Sequence, residues 1–147
     1  MNYIEVIGGT TSQRSKVQSM VEFCIKTLMP RMQTLEITIK LCTPEAEAMG
    51  YCLELDTKRE FEIKADRKLK LRKLLETIAH EMVHVKQYAR RELHPSTNAW
   101  MGKTVNPEKV LYWDLPWEIE EHGREIGLFV RWCEANQLGH LNWTQES

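Results

Sequence analysis

Two periods of apolar residues alternate along the chain. Between Ser12 and Met29 the residues Val17, Met20, Val21, Cys24, Ile25 and Leu28 recur at helical spacing. Pro30 stops that helix or lies just past its end. From Thr34 to Cys42 the period changes to two. Leu35, Ile37, Ile39 and Leu41 fall on one face, with Glu36, Thr38 and Lys40 on the other, as in a half-buried strand. A weaker β-rich alternation at Asn2–Ile7 predicts a short first strand, and the turn Gly8 to Ser12 supplies a cap for the helix after it.

Thr43 to Met49 is a connection. Gly50 opens a strand over Tyr51–Leu55, the chain turns at Asp56–Arg59, and Glu60–Ala65 returns as the second arm of a hairpin. A long helical pattern then runs from Arg67 to Leu93, with Leu71, Leu74, Leu75, Ile78, Met82 and Val85 as its apolar stripe. His94 to Asn98 ends it. Ala99–Leu115 is irregular and rich in aromatics. Pro116 suits the first position of a last helix reaching about Asn136, with Asp114 near its N-cap and a tail from Gln137 to Ser147. The pattern is α+β, and 147 residues without repeat or linker suit one domain, 1–147.

Composition narrows the function. The net charge is −1, which argues against nucleic acid as the main partner. The basic run Lys64, Arg67, Lys68, Lys70, Arg72, Lys73 has no interleaved aromatics and reads as a solvated helix start. No apolar run approaches the roughly 18 residues of a membrane helix. Four cysteines without a C-x-x-C pair, and no leader-like start, predict reduced thiols in a cytoplasmic protein.

The chemistry lies in His80-Glu81-Met82-Val83-His84, on the long helix. Residues four apart share a helix face, so the two imidazoles can share one ion. Glu81 is offset by about 100° and can reach a water without binding the ion. H-E-x-x-H is the arrangement of zinc hydrolases, where three protein ligands and a water complete the site. A third histidine at the short downstream spacing is absent, because position 87 is Gln and position 90 is Arg. The third ligand is therefore expected on the last helix, where Glu118 and Glu121 stand three apart. Either could ligate. Glu121 and Glu125 are four apart, as are Glu118 and His122.

HEMVH, the elements before it and the later WEIEEH resemble gluzincin-type zincin metallopeptidases, in particular the compact ImmA/IrrE-like group; SprT-like and small phage-encoded zincins share the minimal layout. The resemblance covers roughly Ser12 to Phe129. It implies a minimal zincin-like domain: an N-terminal helix, a small, mainly antiparallel sheet of three to four strands, the active-site helix and a C-terminal helix with the third ligand. It implies one Zn2+ per chain held by His80, His84 and Glu118, with Glu121 as second choice. Position 121 is Glu where the group has Ala. The implied activity is hydrolysis of peptide bonds in a peptide or protein substrate, with Glu81 as general base. His122, Tyr88 and Tyr112 are expected as supporting or oxyanion-binding groups, and His94 is a further oxyanion candidate. The rival readings are a catalytically silent zinc-site regulatory or binding module and a SprT-like DNA-associated protease.

Three more expectations concern the surroundings. Gln87 is either a hydrogen-bonding support or exposed. Trp100, Tyr112, Trp113 and Trp117 pack in the core or wall the substrate pocket. The strand Glu60–Ala65 is expected at the sheet edge, where an extended peptide could add to it.

Overall fold

The computed structural model describes residues 1–44, 48–94 and 96–146; positions 45–47 of the connection expected at Thr43–Met49, with Pro95 and Ser147, lie outside them. The elements in order are β1 (Tyr3–Gly8), α1 (Thr11–Leu28), β2 (Glu36–Cys42), β3 (Gly50–Glu54), β4 (Glu60–Asp66), α2 (Leu71–Ala89), β5 (Ala99–Trp100), β6 (Lys103–Thr104) and α3 (Pro116–Ala135). This is the α+β layout that the periodicities predict. Thr10 caps α1 in a reciprocal capping box with Gln13.

The main sheet has the order β1-β2-β4-β3. It is mixed rather than mainly antiparallel: β1 and β2 are parallel, β2 and β4 are parallel, and only β3 runs antiparallel to β4. The hairpin β3–β4 therefore inserts its second arm beside β2. That places β4 inside the sheet and leaves β3 at the edge, which corrects the expectation that Glu60–Ala65 is the edge strand. The apolar alternation of β4 resembles that of β2 because both bury one face in the same core. Nothing in the alternation reports which arm of a hairpin faces outward.

One face of the sheet is buried. Ile37, Ile39 and Leu41 of β2 and Phe61, Ile63 and Ala65 of β4 point into a core shared with Val17, Met20, Val21 and Cys24 of α1, and with Leu74, Leu75, Ile78 and Met82 of α2. The facing residues Thr38, Lys40, Glu62 and Lys64 are less buried. α3 closes the far side of α2 through Leu128, Phe129 and Trp132. A second, smaller cluster joins Leu93, Leu115 and Trp117.

α2 contains the whole apolar stripe but is shorter than the helical pattern expected from Arg67 to Leu93. At its start, Asp66 turns the chain by accepting from the Lys68 N–H, and the Leu69 N–H bonds back to the Asp66 carbonyl. At its end, Arg91 adopts φ 56° and the chain leaves the helix. Leu93 then bridges to Trp100, and β5–β6 form a small hairpin in the stretch expected to be irregular. Pro116 is the first residue of α3, as predicted, but Leu115 occupies the cap position, with Asp114 in a 3-10 turn over Tyr112–Asp114. The four cysteines are free thiols. Among the described residues no helix is long and apolar enough to cross a membrane.

Candidate metal centre

α2 and α3 lie side by side, and the site is built between them. His80 and His84 stand one turn apart on α2. Opposite them, α3 presents Glu118 and Glu121 in its first two turns. The four side chains converge, with one donor atom from each inside a 4.8 Å group. The sequence left a choice between the two carboxylates; the fold brings both to the histidine pair. Glu121 Oε2 lies 2.8 Å from His80 Nε2 and 2.6 Å from His84 Nε2. Glu118 reaches the same two nitrogens at 3.5 Å, one oxygen to each.

The outer ring nitrogens are fixed by neighbours. His80 Nδ1 meets Glu125 Oε2 at 3.2 Å, and His84 Nδ1 meets Gln87 Oε1 at 3.1 Å. The Gln87 amide has one possible orientation, because its nitrogen donates to the Trp117 carbonyl at 3.0 Å and to Glu120 Oε1 at 3.1 Å. Its oxygen is thereby left to accept from Nδ1–H of His84. Both imidazoles thus spend their Nδ1 protons outward and turn Nε2 toward the carboxylates, the arrangement in which histidines bind metals. Gln87 is fully buried, which settles its role as a support. Glu125 was not singled out as a site residue. Its signal was the spacing of four from Glu121 and of seven from Glu118, which keeps all three on one face of α3.

The donor set fits a divalent cation on a further count. Glu121 is 0% exposed; its Oε1 has no partner, and its Oε2 meets the two imidazoles. A buried carboxylate carries a heavy desolvation cost unless a metal cation or a protonated partner neutralises it. Two imidazoles and carboxylate oxygens are a donor set that zinc accepts. Without a cation the protons must do this work. Burial pushes the His80 imidazole down, but hydrogen bonds to Glu118, Glu121 and Glu125 outweigh it and raise its pKa to about 12. His84 is raised to about 10 against the same burial, by Glu118 and Glu121. Glu118 is likewise penalised by burial, yet His80, His84 and Tyr112 hold it well below the usual carboxylate range.

Glu81 lies beside the group and lines two adjoining clefts of about 520 Å³ and about 190 Å³. Its Oε2 is buried without a hydrogen-bond partner. Burial raises its pKa to about 7, although His84 and His80 pull the other way. A carboxylate so tuned can exchange protons near neutrality.

The remaining expected residues separate clearly. The Tyr112 hydroxyl donates to Glu118 Oε1 at 2.6 Å and meets His122 Nε2 at 3.1 Å; His122 Nδ1 meets Glu125 Oε1 at 2.9 Å. Both residues line the larger cleft. Tyr88 instead packs between Phe61 and His84, ring to ring, as a wall of the core. His94 bonds Ser96 and stands apart. The aromatic cluster divides: Trp100 and Trp117 pack together in the smaller core, whereas Tyr112 and Trp113 line the cleft.

The edge strand β3 contributes Gly50, Tyr51 and Cys52 to the smaller cleft. Leu55 N–H bonds to the Glu60 carbonyl and Asp66 N–H to the Met49 carbonyl. In an antiparallel ladder these bonded pairs alternate, so Met49, Tyr51, Leu53 and Leu55 face β4. The backbone N–H and C=O of Gly50, Cys52 and Glu54 are directed away from β4. Neither a family model, nor a curated protein, nor a solved structure matches the chain, so the likeness of this centre to known sites rests on its own geometry.

Proposed function

We propose that the protein is a zinc-dependent metallopeptidase of zincin type, acting on a peptide or protein substrate in the cytoplasm. The observation that carries this reading is the convergence of His80, His84 and the buried Glu121 beside Glu81 in an open cleft. His80, His84 and Glu121 would hold the ion, one per chain, with Glu118 next to them. Bound there, zinc would supply an acidified water and a polarised carbonyl.

The chain's own residues do the rest. The Glu81 carboxylate takes the proton of the attacking water and returns it to the leaving amine. The Tyr112 hydroxyl and the His122 imidazole would donate to the oxygen that gains charge. Glu125 and Gln87 keep the histidine rings oriented. The outer edge of β3, which pairs with no strand among the described residues, can pair with an extended peptide through Gly50, Cys52 and Glu54, so β3 replaces Glu60–Ala65 as the docking strand. Trp113 and Met49 flank the larger cleft and would select side chains.

The test pairs metal content with hydrolysis. Purified protein should carry about one zinc per chain, and His80→Ala and His84→Ala should each strip it. Glu81→Gln should keep the zinc and lose peptide hydrolysis by several orders of magnitude. Loss of zinc from Glu81→Gln would make Glu81 a ligand and end the assignment. The second reading, a catalytically silent zinc-site module, is favoured by one feature: two carboxylates rather than one face the histidine pair.

A further inference from the structure

Glu118 is surplus to a centre of three protein donors, yet it stands where a donor would stand. Its Oε1 is 3.5 Å from His80 Nε2 and its Oε2 is 3.5 Å from His84 Nε2. Adjacent donors around a tetrahedral zinc are about 3.3 Å apart, from bonds of about 2.0–2.1 Å. Glu118 is 6% exposed and shares its pocket with a second, fully buried carboxylate, Glu121, whose Oε1 has no partner. Two buried carboxylates on one histidine pair repel each other unless a cation lies between them. Glu118 differs from Glu121 in its distance from the imidazoles, 3.5 Å against 2.8 Å and 2.6 Å, and in its partner outside the group. Its Oε1 accepts from the hydroxyl of Tyr112, which sits half-exposed on the turn that walls the cleft.

We propose that Glu118 is a fourth protein donor to the same ion, that it fills the place a catalytic centre leaves to water, and that Tyr112 holds it there. This rests on the metal site proposed above and adds how access to it is controlled. Four protein donors make a closed centre, and a catalytic centre needs an open position. Glu121 cannot yield that position, since it is enclosed. Glu118 can, because its only hydrogen bond from outside the donor group, among the described residues, comes from a side chain that a substrate in the cleft would touch. A peptide carbonyl that takes the Tyr112 hydroxyl removes the bond that fixes Glu118. Substrate binding and opening of the centre are then one event. The arrangement reconciles the two carboxylates with the presence of Glu81, which a permanently closed centre has no use for.

The probe is Co2+ in place of zinc, read by its visible absorption, with azide as a small competing ligand. Wild type, Glu118→Gln and Tyr112→Phe should each bind one Co2+ per chain. Azide should leave the wild-type spectrum unchanged and shift the spectra of both variants, because only they have a position to give. A wild-type spectrum that shifts as readily as that of Glu118→Gln overturns the proposal. So does loss of Co2+ from Glu118→Gln with retention in Glu121→Gln, which would make Glu118 the third donor and not the fourth. A shift in Glu118→Gln with none in Tyr112→Phe would refute the hold by Tyr112. Failure of the wild type to bind Co2+ at all is visible before any variant is compared, and it removes the metal site itself.

Discussion

Gln87 is locked by α3 and in turn locks His84: its amide nitrogen donates to the Trp117 carbonyl and Glu120, and its oxygen accepts from His84 Nδ1 at 3.1 Å. One side chain therefore ties the helix that bears the histidines to the helix that bears the carboxylates. Lys86, buried beside it, pairs with Glu120 and Glu92 and reinforces the same junction. Gln87→Leu fills the volume but removes all three bonds. Zinc affinity should fall roughly 10- to 100-fold, as for other groups that orient a metal-binding histidine. Stability of the zinc-free protein should fall by about 1–3 kcal/mol, because the Trp117 carbonyl and the Glu120 carboxylate each lose one donor in the buried junction. Unchanged zinc affinity in a competition titration would mean that His84 needs no outside support.

The chain's pattern disclosed some of this and withheld some. The periodicities of α1, β2 and α2 were plain because each element buries one face. The histidine pair was plain because four residues make a turn. What the pattern could not carry was partnership across the fold. The strand order depends on how a hairpin inserts beside β2, and both β3 and β4 alternate well enough to serve at the edge or inside. Gln87 was ambiguous because burial of a polar side chain on α2 depends on α3. Glu118 and Glu121 were ambiguous because residues three apart on a helix share a face, and both in fact reach the histidines.

Gly50 marks how closely the edge strand approaches the active helix. A Cβ there would lie 2.8 Å from the Lys64 carbonyl oxygen and 2.9 Å from Thr77 Cγ2. The backbone oxygen belongs to the β3–β4 ladder and cannot yield cheaply. Gly50→Ala should cost about 1–3 kcal/mol and lift β3 from the cleft. Gly127, within α3, has nothing within 4 Å of its added Cβ. Gly127→Ala should stabilise by about 0.5–1 kcal/mol through helix propensity. Chemical denaturation of the two variants should give opposite signs; equal small effects would mean that β3 can shift without cost.

The zinc-free protein should show a stability maximum between the unfolded carboxylate and histidine values of 4.5 and 6.5. His80 and His84 have folded values raised to about 12 and about 10. The stability they supply is complete below 6.5 and is lost as pH rises through those folded values. Glu81, raised to about 7, adds to the same decline above 4.5. Glu118 and Glu125 are depressed, so their stabilisation is present above 4.5 and lost as pH falls. Denaturation of chelator-treated protein at about pH 5.5 and about pH 9 should find the former more stable. Zinc needs neutral imidazoles, so its binding near neutrality should release about two protons per ion. Calorimetry in buffers of different ionisation enthalpy measures that release, and none would mean that the apo histidines are already neutral.

Peptide docking along β3 predicts a contrast between two prolines. The N–H of Cys52 is directed away from β4, so Cys52→Pro breaks no bond of the β3–β4 ladder. It removes one donor from the open edge. Ile63, by contrast, sits in β4 with β2 on one side and β3 on the other and is fully buried. Ile63→Pro strips a ladder bond from inside the sheet and should cost about 3 kcal/mol or more, enough to unfold much of the population. Cys52→Pro should fold, keep its zinc, and bind an extended peptide inhibitor more weakly by roughly 0.5–1.5 kcal/mol, the worth of one hydrogen bond. The loss should be absent for an inhibitor that reaches the metal through a small chelating group without a peptide backbone, since that contact does not use the strand. Equal weakening of both inhibitors would point to a disturbed centre, and wild-type affinity of folded, zinc-loaded Cys52→Pro for the peptide would rule out docking by strand addition.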